Sequence, residues 1–238
     1  LRLTGMELAG AATTTNLTFA NTSGKAFWYG NTSSKTSPPS SLQAGNATSP
    51  EMLMVATVNG ITKDTITFSA NTYPYHNFMF NVNQSALNSI LVGWVGVGHY
   101  TGMSIAHYQA HVHAWNFQTS SWDLVSSAST DIAPGAFHLA SSVPSQASSY
   151  VGAQGALYVL ALGPQNLDAS ARISTDCVYV NVSGQGTSYP ADVSLDLGDD
   201  GTAEWTGQGT LDTSVILDGD THGIDSALQA LVDQAGAG

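Results

Sequence analysis

The stretch "AWNFQTSSWDLV", residues 114–125, decides the fold because it carries the pattern of two paired strands joined by a tight polar loop. One strand ends near Phe117, residues 118–121 form the loop, and the chain returns through Trp122 and Leu124. We expect Trp122 and Leu124 to be directed toward the core. The stretch therefore predicts a β-hairpin.

Short runs of alternating polar and apolar residues, bounded by Gly, Pro, Asn and Ser, recur on both sides of this hairpin. Only one stretch, near the C-terminus, has a good helical pattern. The predicted strands cover residues 65–70, 76–82, 89–97, 103–117, 122–128, 156–163 and 172–183. This pattern predicts an all-β protein, a two-sheet antiparallel β-sandwich of the jelly-roll kind.

Three segments follow one another in the order "WVGVG" (94–98), "HAWNFQTSSWDLV" (113–125) and "STDCVYVNV" (174–182). Together they resemble discoidin or galactose-binding-like β-sandwich modules of prokaryotic, archaeal-type surface proteins and of phage structural proteins. The resemblance covers roughly residues 60–184 and implies a sandwich module on a cell surface or virion. Its motifs are structural, so it implies no catalytic residue. Val95 replaces an acid that the family often has, and the histidines before residue 114 are not part of the family pattern.

The break "SGQGTSYPAD" (183–192) predicts a domain boundary. We expect a sandwich domain over residues 1–184 with a loop-rich N-terminal region, a linker over 185–191, and a C-terminal segment over 192–238. That segment contains the predicted amphipathic helix "GIDSALQALVDQAG". It is too short for a core of its own and is interpreted as an incomplete second module or an assembly element.

The chain has five Lys plus Arg against seventeen Asp plus Glu, which gives a net charge of −12. Nucleic acids and anionic membranes are bound through clustered cations, so we expect no nucleic-acid partner. No run is long and apolar enough for membrane insertion. The polarity comes instead from Ser, Thr, Asn, Gln and Gly, which is typical of exported and virion-exterior proteins.

The Ser/Thr/Pro-rich stretch 31–50 is predicted to be a surface loop, because Pro38 and Pro39 exclude regular pairing. "FWYG" (27–30) precedes it, and Trp28 and Tyr29 are candidates for stacking on sugar rings, with core packing as the alternative. Six sequons are candidate glycosylation sites. Their asparagines are Asn16, Asn21, Asn31, Asn46, Asn83 and Asn181.

A row of polar side chains precedes the hairpin on one face of its first strand. His107, Gln109, His111 and His113 alternate with the core-like Tyr108, Ala110 and Val112, so we expect the row to face solvent or a subunit neighbour as a candidate ligand-binding surface. A His-x-His pair on a strand can bind zinc. The acid that usually accompanies such a pair is missing nearby, and a solvated face or packing contact is the stronger interpretation.

An acidic turn in the C-terminal segment offers oxygen ligands for calcium at Asp196, Asp199, Asp200 and Glu204. A plain turn, in which Asp side chains accept backbone hydrogen bonds, explains the same residues. We expect no required cofactor, and calcium is the one ion that this turn suggests.

The sequence lacks the G-x-S-x-G and H-E-x-x-H motifs and a placeable pair of catalytic carboxylates. We expect a non-catalytic extracellular, cell-surface or virion-exterior module for adhesion and carbohydrate contact, as a homo-oligomer. The alternative is a structural subunit of a filament, surface layer, phage tail or capsid, held by strand and C-terminal contacts with its neighbours. A polysaccharide-active enzyme ranks third.

Overall fold

The computed structural model describes residues 2–4, 14–82, 87–101, 107–167, 169–184, 191–196 and 205–209. The chain divides into two compact units, Thr14–Gly184 and a second that combines Leu1–Thr13 with Gln185–Gly238. Of residues 1–13, the structure describes only Arg2–Thr4, which pair with residues 194–196 of the C-terminal segment. A local sequence pattern does not reveal this pairing between distant strands, and the domain bounds given above stay a prediction.

Fourteen strands and one short α-helix are described. The helix, α1, covers Ser49–Met54, and the Thr48 amide before it donates to Glu51 Oε2 at 2.8 Å. The strands are β1 (Arg2–Thr4), β2 (Thr14–Thr18), β3 (Ala26–Thr32), β4 (Gly45–Asn46), β5 (Lys63–Thr67), β6 (Tyr73–Asn81), β7 (Leu87–Thr101), β8 (His107–Asn116), β9 (Ser121–Thr130), β10 (Phe137–Ser142), β11 (Ala156–Leu162), β12 (Ser170–Gly184), β13 (Ala191–Asp196) and β14 (Trp205–Gly209).

The strands of Thr14–Gly184 form one curled antiparallel sheet in the order β2-β12-β7-β8-β11-β6-β3-β4, with β10 on β7, β5 on β12 and β9 on β8. β7 and β8 pair only at His99 with Tyr108 and at Tyr100 with His107. The sheet therefore turns at this point into two layers. The front layer comprises β9, β8, β11, β6, β3 and β4, and the back layer comprises β2, β12, β7, β5 and β10.

One large core fills the space between the layers. In the front layer, Ala110, Val112 and Ala114 of β8 are buried while the residues between them are only partly buried, as the alternation of the sequence predicts. The back layer contributes Trp94 of β7 and Val178 of β12, among others. The predicted all-β antiparallel sandwich is confirmed, and each of the seven predicted strands has a counterpart.

A buried cluster of polar side chains connects the two layers by hydrogen bonds. His76 of β6 is fully buried, with Nδ1 2.7 Å from Thr175 Oγ1 and Nε2 3.0 Å from Thr65 Oγ1. The Trp94 indole also donates to Thr175 Oγ1, at 2.9 Å. Burial, with a contribution from the Lys63 charge, lowers the pKa of His76 to about 3. His76 is therefore neutral at pH 7.

The second unit is described by three antiparallel strands in the order β1-β13-β14. Arg2 pairs with Asp196, and Leu195 pairs with Trp205. The predicted linker up to residue 190 and the predicted C-terminal helix lie outside the described residues. No helix among the described residues has both the length and the apolar character needed to cross a membrane.

Candidate functional site

The side of the front layer that is directed away from the core is called here the outer face. Residues directly opposite each other in paired strands share a face, so the strand register gives its layout. One row across it passes from Leu124 on β9 through His113, Leu160, Asn77 and Trp28 to Asn46 on β4. A neighbouring row contains Trp122, Trp115, Tyr158 and Met79. Tryptophan, tyrosine and histidine side chains thus meet on one surface.

Residues 33–44, the loop between β3 and β4, fold back across the middle of the outer face and are called the strap. Leu42 of the strap is 2% exposed and packs with Tyr75, Leu160 and Leu162. Asn77 Nδ2 donates to the carbonyl oxygens of Pro39 and Leu42, at 3.3 and 3.2 Å. The stretch predicted as a surface loop therefore covers part of the sheet.

Two further contacts hold the strap at its N-terminal end. The indole Nε1 of Trp122 donates to the Ser37 carbonyl at 2.7 Å. The Lys35 ammonium lies 4.9 Å from the centre of the Tyr73 ring, within cation–π range. The hairpin tryptophan that identifies the sandwich in the sequence is thus also an anchor of the strap.

Beyond the strap the outer face presents three aromatic side chains, which we call the platform: Trp28 of β3, Tyr158 of β11 and Phe117 after β8. The Trp28 and Tyr158 rings are stacked, with centroids 6.5 Å apart and planes 30° apart. The Phe117 ring lies 6.2 Å from Tyr158 at 46°. Trp28 and Tyr158 are partly buried and Phe117 is 36% exposed, so the platform is fixed in place yet open to solvent.

An open, shallow pocket of about 450 Å³ adjoins the platform at Phe117. Its other lining residues are uncharged: Gln118, Gln146, Ser148 and Ser149. The Ser149 hydroxyl donates to Gln118 Oε1 at 3.1 Å, which links the two sides of the pocket. Hydroxyl and amide groups beside exposed aromatic rings can bind a polyhydroxylated ligand by hydrogen bonds and stacking together.

The hairpin end that supports Phe117 is built on a hydrogen-bonded carboxylate. Asp123 Oδ2 accepts from Tyr150 Oη at 2.7 Å and from Asn116 Nδ2 at 2.9 Å. Asn116 Oδ1 accepts the amides of Gln118 and Thr119, at 3.0 and 3.2 Å. The network ties the loop to the segment before β11 and so fixes the pocket wall.

The prediction that Leu124 is directed toward the core is wrong, and Trp122 packs against the smaller hydrophobic cluster under the strap instead of the main core. The loop sets Trp122 opposite Trp115, which shares the outer face with the histidines, and a register shift between Val112 and His113 accompanies this pairing. The strap partly buries Trp122, whereas Leu124 is 49% exposed.

The predicted stacking pair is divided between the two faces. Trp28 joins the platform, while Tyr29 packs against the main core. The Tyr29 hydroxyl donates to Glu51 Oε1 at 3.3 Å, and the Lys63 ammonium lies 3.7 Å from its ring centre. The Lys63 hydrogen bond and the Thr48 amide lower the pKa of Glu51 to about 2. Tyr29 therefore belongs to a structural ion-pair cluster.

The predicted histidine row lies on the outer face, but its members differ in environment. At the exposed end, His107 Nδ1 lies 2.8 Å from Asp131 Oδ1. Gln109, His111 and His113 are partly buried. The expectation that the whole row faces solvent or a neighbouring subunit therefore fails for His111 and His113, because they lie next to strands that the strap covers.

His111 and His113 have unusual surroundings for polar side chains. His111 Nε2 and both ring nitrogens of His113 are buried without a hydrogen-bond partner, and the two ring centres are 6.2 Å apart. Burial, then the neighbouring His111 and Lys35, lower the pKa of His113 to about 4, although Asp123 acts in the opposite direction. Burial and Lys35 also lower the pKa of His111. Both imidazoles are therefore neutral at pH 7.

The described residues contain no group of three or more His, Cys, Asp or Glu side chains placed to hold a metal ion. Asp199, Asp200 and Glu204 of the suggested calcium turn lie outside the described residues, as does the side chain of Asp196. Calcium binding at this turn stays a prediction.

Four sequon asparagines are exposed: Asn16, Asn21, Asn31 and Asn46. Asn46 lies directly opposite Trp28, so a glycan attached there would start beside the platform. Asn181 is partly buried, and its Oδ1 is buried without a hydrogen-bond partner. Asn181 is therefore poorly accessible for attachment of a glycan. Asn83 lies outside the described residues.

Tyr158 and Phe117 are not among the site residues predicted from the sequence. Tyr158 has a local signal, because it alternates with the core residues Leu157 and Val159 and so must face away from them. Phe117 has none, since it stands at the end of a strand where alternation ceases.

Two carbohydrate-binding modules of solved structure are similar to the chain at low scores. One is a family 28 module specific for non-crystalline cellulose, with 10% identity, a TM-score of 0.30, and coverage of 56% of this chain and 87% of that module. The other is a family 11 module from Clostridium thermocellum in complex with a β-1,3-1,4-mixed-linked tetrasaccharide. It has 7% identity, a TM-score of 0.27, and coverage of 76% of this chain and 99% of that module.

A comparison with curated protein sequences finds no match. A family model does match: residues 23–184 fit AF_1625_C, described as "Uncharacterized protein, C-terminal domain". The match ends at the same residue as β12 and the larger structural unit. Because it covers more than half of the sequence, the chain belongs to the AF_1625_C family.

Proposed function

We propose that Thr14–Gly184 is a non-catalytic carbohydrate-binding module, and that the platform of Trp28, Tyr158 and Phe117 stacks against the sugar rings of its ligand. The observation that supports this most directly is the stacked Trp28–Tyr158 pair on the open part of the outer face. Aromatic rings that are held rigidly and remain partly exposed lose little entropy when they bind a flat apolar surface.

The polar groups around the platform favour a neutral glycan. Gln118, Gln146, Ser148 and Ser149 offer donors and acceptors but no charge. The net charge of −12 also disfavours anionic polysaccharides. A single site of this size binds weakly, so the module is expected to act where many copies are presented together, at a cell surface, outside the cell or on a virion.

Replacing Trp28 or Tyr158 with alanine should weaken binding of a neutral glycan by about tenfold, since each change removes one stacking surface. Cellohexaose is a suitable first probe by isothermal titration, after a glycan array has ranked other chains. Phe68→Ala is the matched control, because Phe68 is 77% exposed next to β5 in the back layer. Equal affinity of wild type and both platform variants, or hydrolysis of the glycan, would contradict the proposal.

One observation favours the alternative of a structural subunit. β5 pairs only with β12 among the described strands, and Ile66 and Phe68 beside its free edge are 46% and 77% exposed. Leu167 is 53% exposed, and the preceding Asn166 donates from Nδ2 to the Ser69 carbonyl at 3.1 Å. Exposed apolar side chains along a strand edge can pair two copies of a chain.

If this edge holds copies together, wild-type protein should sediment as an oligomer and the double variant Ile66→Thr, Phe68→Ser as a monomer. Trp28→Ala serves as the control and should keep the wild-type sedimentation coefficient. A wild-type monomer at every concentration tested would eliminate the edge as an assembly contact.

A further inference from the structure

The strap lies over only part of an aromatic surface. Tyr73, Tyr75 and Trp122 continue the outer face beyond the platform, and the strap covers them through Lys35, Leu42 and the Ser37 carbonyl. If the strap were lifted, the open aromatic face would extend from Trp28 toward these residues.

The imidazoles of His111 and His113 lie beside the covered strip, opposite Leu162 and Leu160. Their three buried nitrogens find no partner in the closed arrangement. A buried polar atom without a hydrogen bond destabilises the arrangement that buries it, and a buried charge does so far more strongly. The closed strap is therefore compatible with neutral histidines and poorly compatible with protonated ones.

The charged and titratable groups around the pair make protonation more disruptive. The strap contributes the Lys35 cation, which acts on both histidines, and the two imidazoles repel each other once charged. β9 contributes Asp123, whose Oδ2 is already bound by Asn116 and Tyr150. The β11 neighbours are leucines, and on β6, one strand further, Tyr75 is in register with Leu162 and Tyr73 lies under Lys35. Of these groups, Asp123 alone favours the protonated pair.

We propose that the strap is an acid-released cover of the glycan-binding face: protonation of His111 and His113 repels Lys35, detaches residues 33–44, and exposes a longer aromatic surface. The direction follows from linkage. In the open form the imidazoles regain ordinary pKa values near 6.5, whereas in the closed form that of His113 is about 4. The closed strap is thus favoured above pH 6.5 and loses stability as the pH falls toward 4.

Hydrogen exchange of indole N–H groups tests the release without any glycan. The Trp122 indole bonds to the Ser37 carbonyl of the strap, and a free tryptophan derivative measured at the same pH supplies the intrinsic exchange rate of an indole. We expect the ratio of the Trp122 exchange rate to that intrinsic rate to rise about tenfold or more from pH 7 to pH 5. A ratio independent of pH would overturn the proposal.

Three variants test whether His111 and His113 cause the pH dependence of the exchange ratio. His111→Gln with His113→Gln should abolish the pH dependence of the ratio, and Lys35→Met, which changes only the exposed strap side chain, should reduce it. His107→Gln, on the same strand and face but paired with Asp131, is the control and should keep it. A wild-type response in both the double variant and Lys35→Met would also overturn the proposal.

A glycan-binding test of the strap release rests on the proposed function. At pH 5, wild type should prefer cellohexaose over cellobiose by a factor about threefold to tenfold larger than at pH 7, the range expected of one further aromatic contact. If no glycan binds at either pH, the proposed function fails while indole exchange still decides the release. If glycan binds and the exchange ratio is flat, the release alone fails.

Discussion

Replacing Gly98 with alanine is expected to destabilise the sandwich by about 2–3 kcal/mol, the range of an overpacked core position. A Cβ at Gly98 would lie 1.9 Å from the backbone oxygen of Gln109 and 2.9 Å from Pro164 Cδ. The first contact is with the backbone of β8, so it can be relieved only by separating β7 from β8. These strands join the two layers, and their pairing consists of His99 with Tyr108 and Tyr100 with His107.

Urea denaturation at pH 7 measures this effect. Gly135→Ala is the control, because a Cβ added at Gly135 would meet no atom within 4 Å, and the φ of this residue is +70°. That variant should lose only the roughly 1 kcal/mol that a non-glycine residue costs at positive φ. An equal loss in the two variants would mean that close approach of β7 and β8 is not what requires glycine at residue 98.

The second large effect concerns pH. The folded protein is expected to lose stability steadily as the pH falls from about 6.5 toward 3, with His76 as the main contributor. Its pKa is about 3 when folded and near 6.5 when unfolded, so below pH 6.5 the unfolded chain binds a proton that the folded chain excludes. At about 1.4 kcal/mol per pKa unit, the total loss is of the order of several kcal/mol.

Chemical denaturation at pH 7, 6, 5 and 4 measures this slope. His76→Gln should be less stable at pH 7, since it disturbs the contacts with Thr65 and Thr175, but its stability should fall less on acidification. His107→Gln, at an exposed position, should keep the wild-type slope. An unchanged slope in His76→Gln would assign the acid sensitivity to other groups.

The sandwich could be predicted from the sequence because its signal is local. Alternation along each strand reflects burial on one side, and it locates the seven predicted strands within a few residues of β5, β6, β7, β8, β9, β11 and β12. The sequence did not predict β3 because the apolar residues of "AFWYGNT" lie on both of its faces. It did not predict β10 because this short strand, "FHLASS", ends in two serines, so the alternation of its burial is not matched by an alternation of apolar and polar residues.

The candidate site was less predictable because it depends on contacts between distant segments. Nothing around Leu42 in a run of Ser and Pro indicates that this residue is buried against Leu160 and Leu162. The same contact explains why the histidine row is not fully exposed. Alternation places His113 on the outer face correctly, but it cannot show that a loop far earlier in the chain covers that face. Trp28 could be predicted as a stacking residue from its side-chain type alone. Its partner Tyr158 could not, because it belongs to a strand far along the chain.

The pairing of β2 with β12 has a practical consequence for handling this unit. Thr14 pairs with Ser183, so the first and last strands of the sandwich begin and finish as registered neighbours, about 5 Å apart at their Cα atoms. A segment with adjacent ends can be inserted into a surface loop of an unrelated host protein without separating the two ends of that loop. Residues 14–184 therefore suit grafting in multiple copies onto a scaffold of chosen geometry, which would allow the avidity of the proposed glycan contact to be tuned.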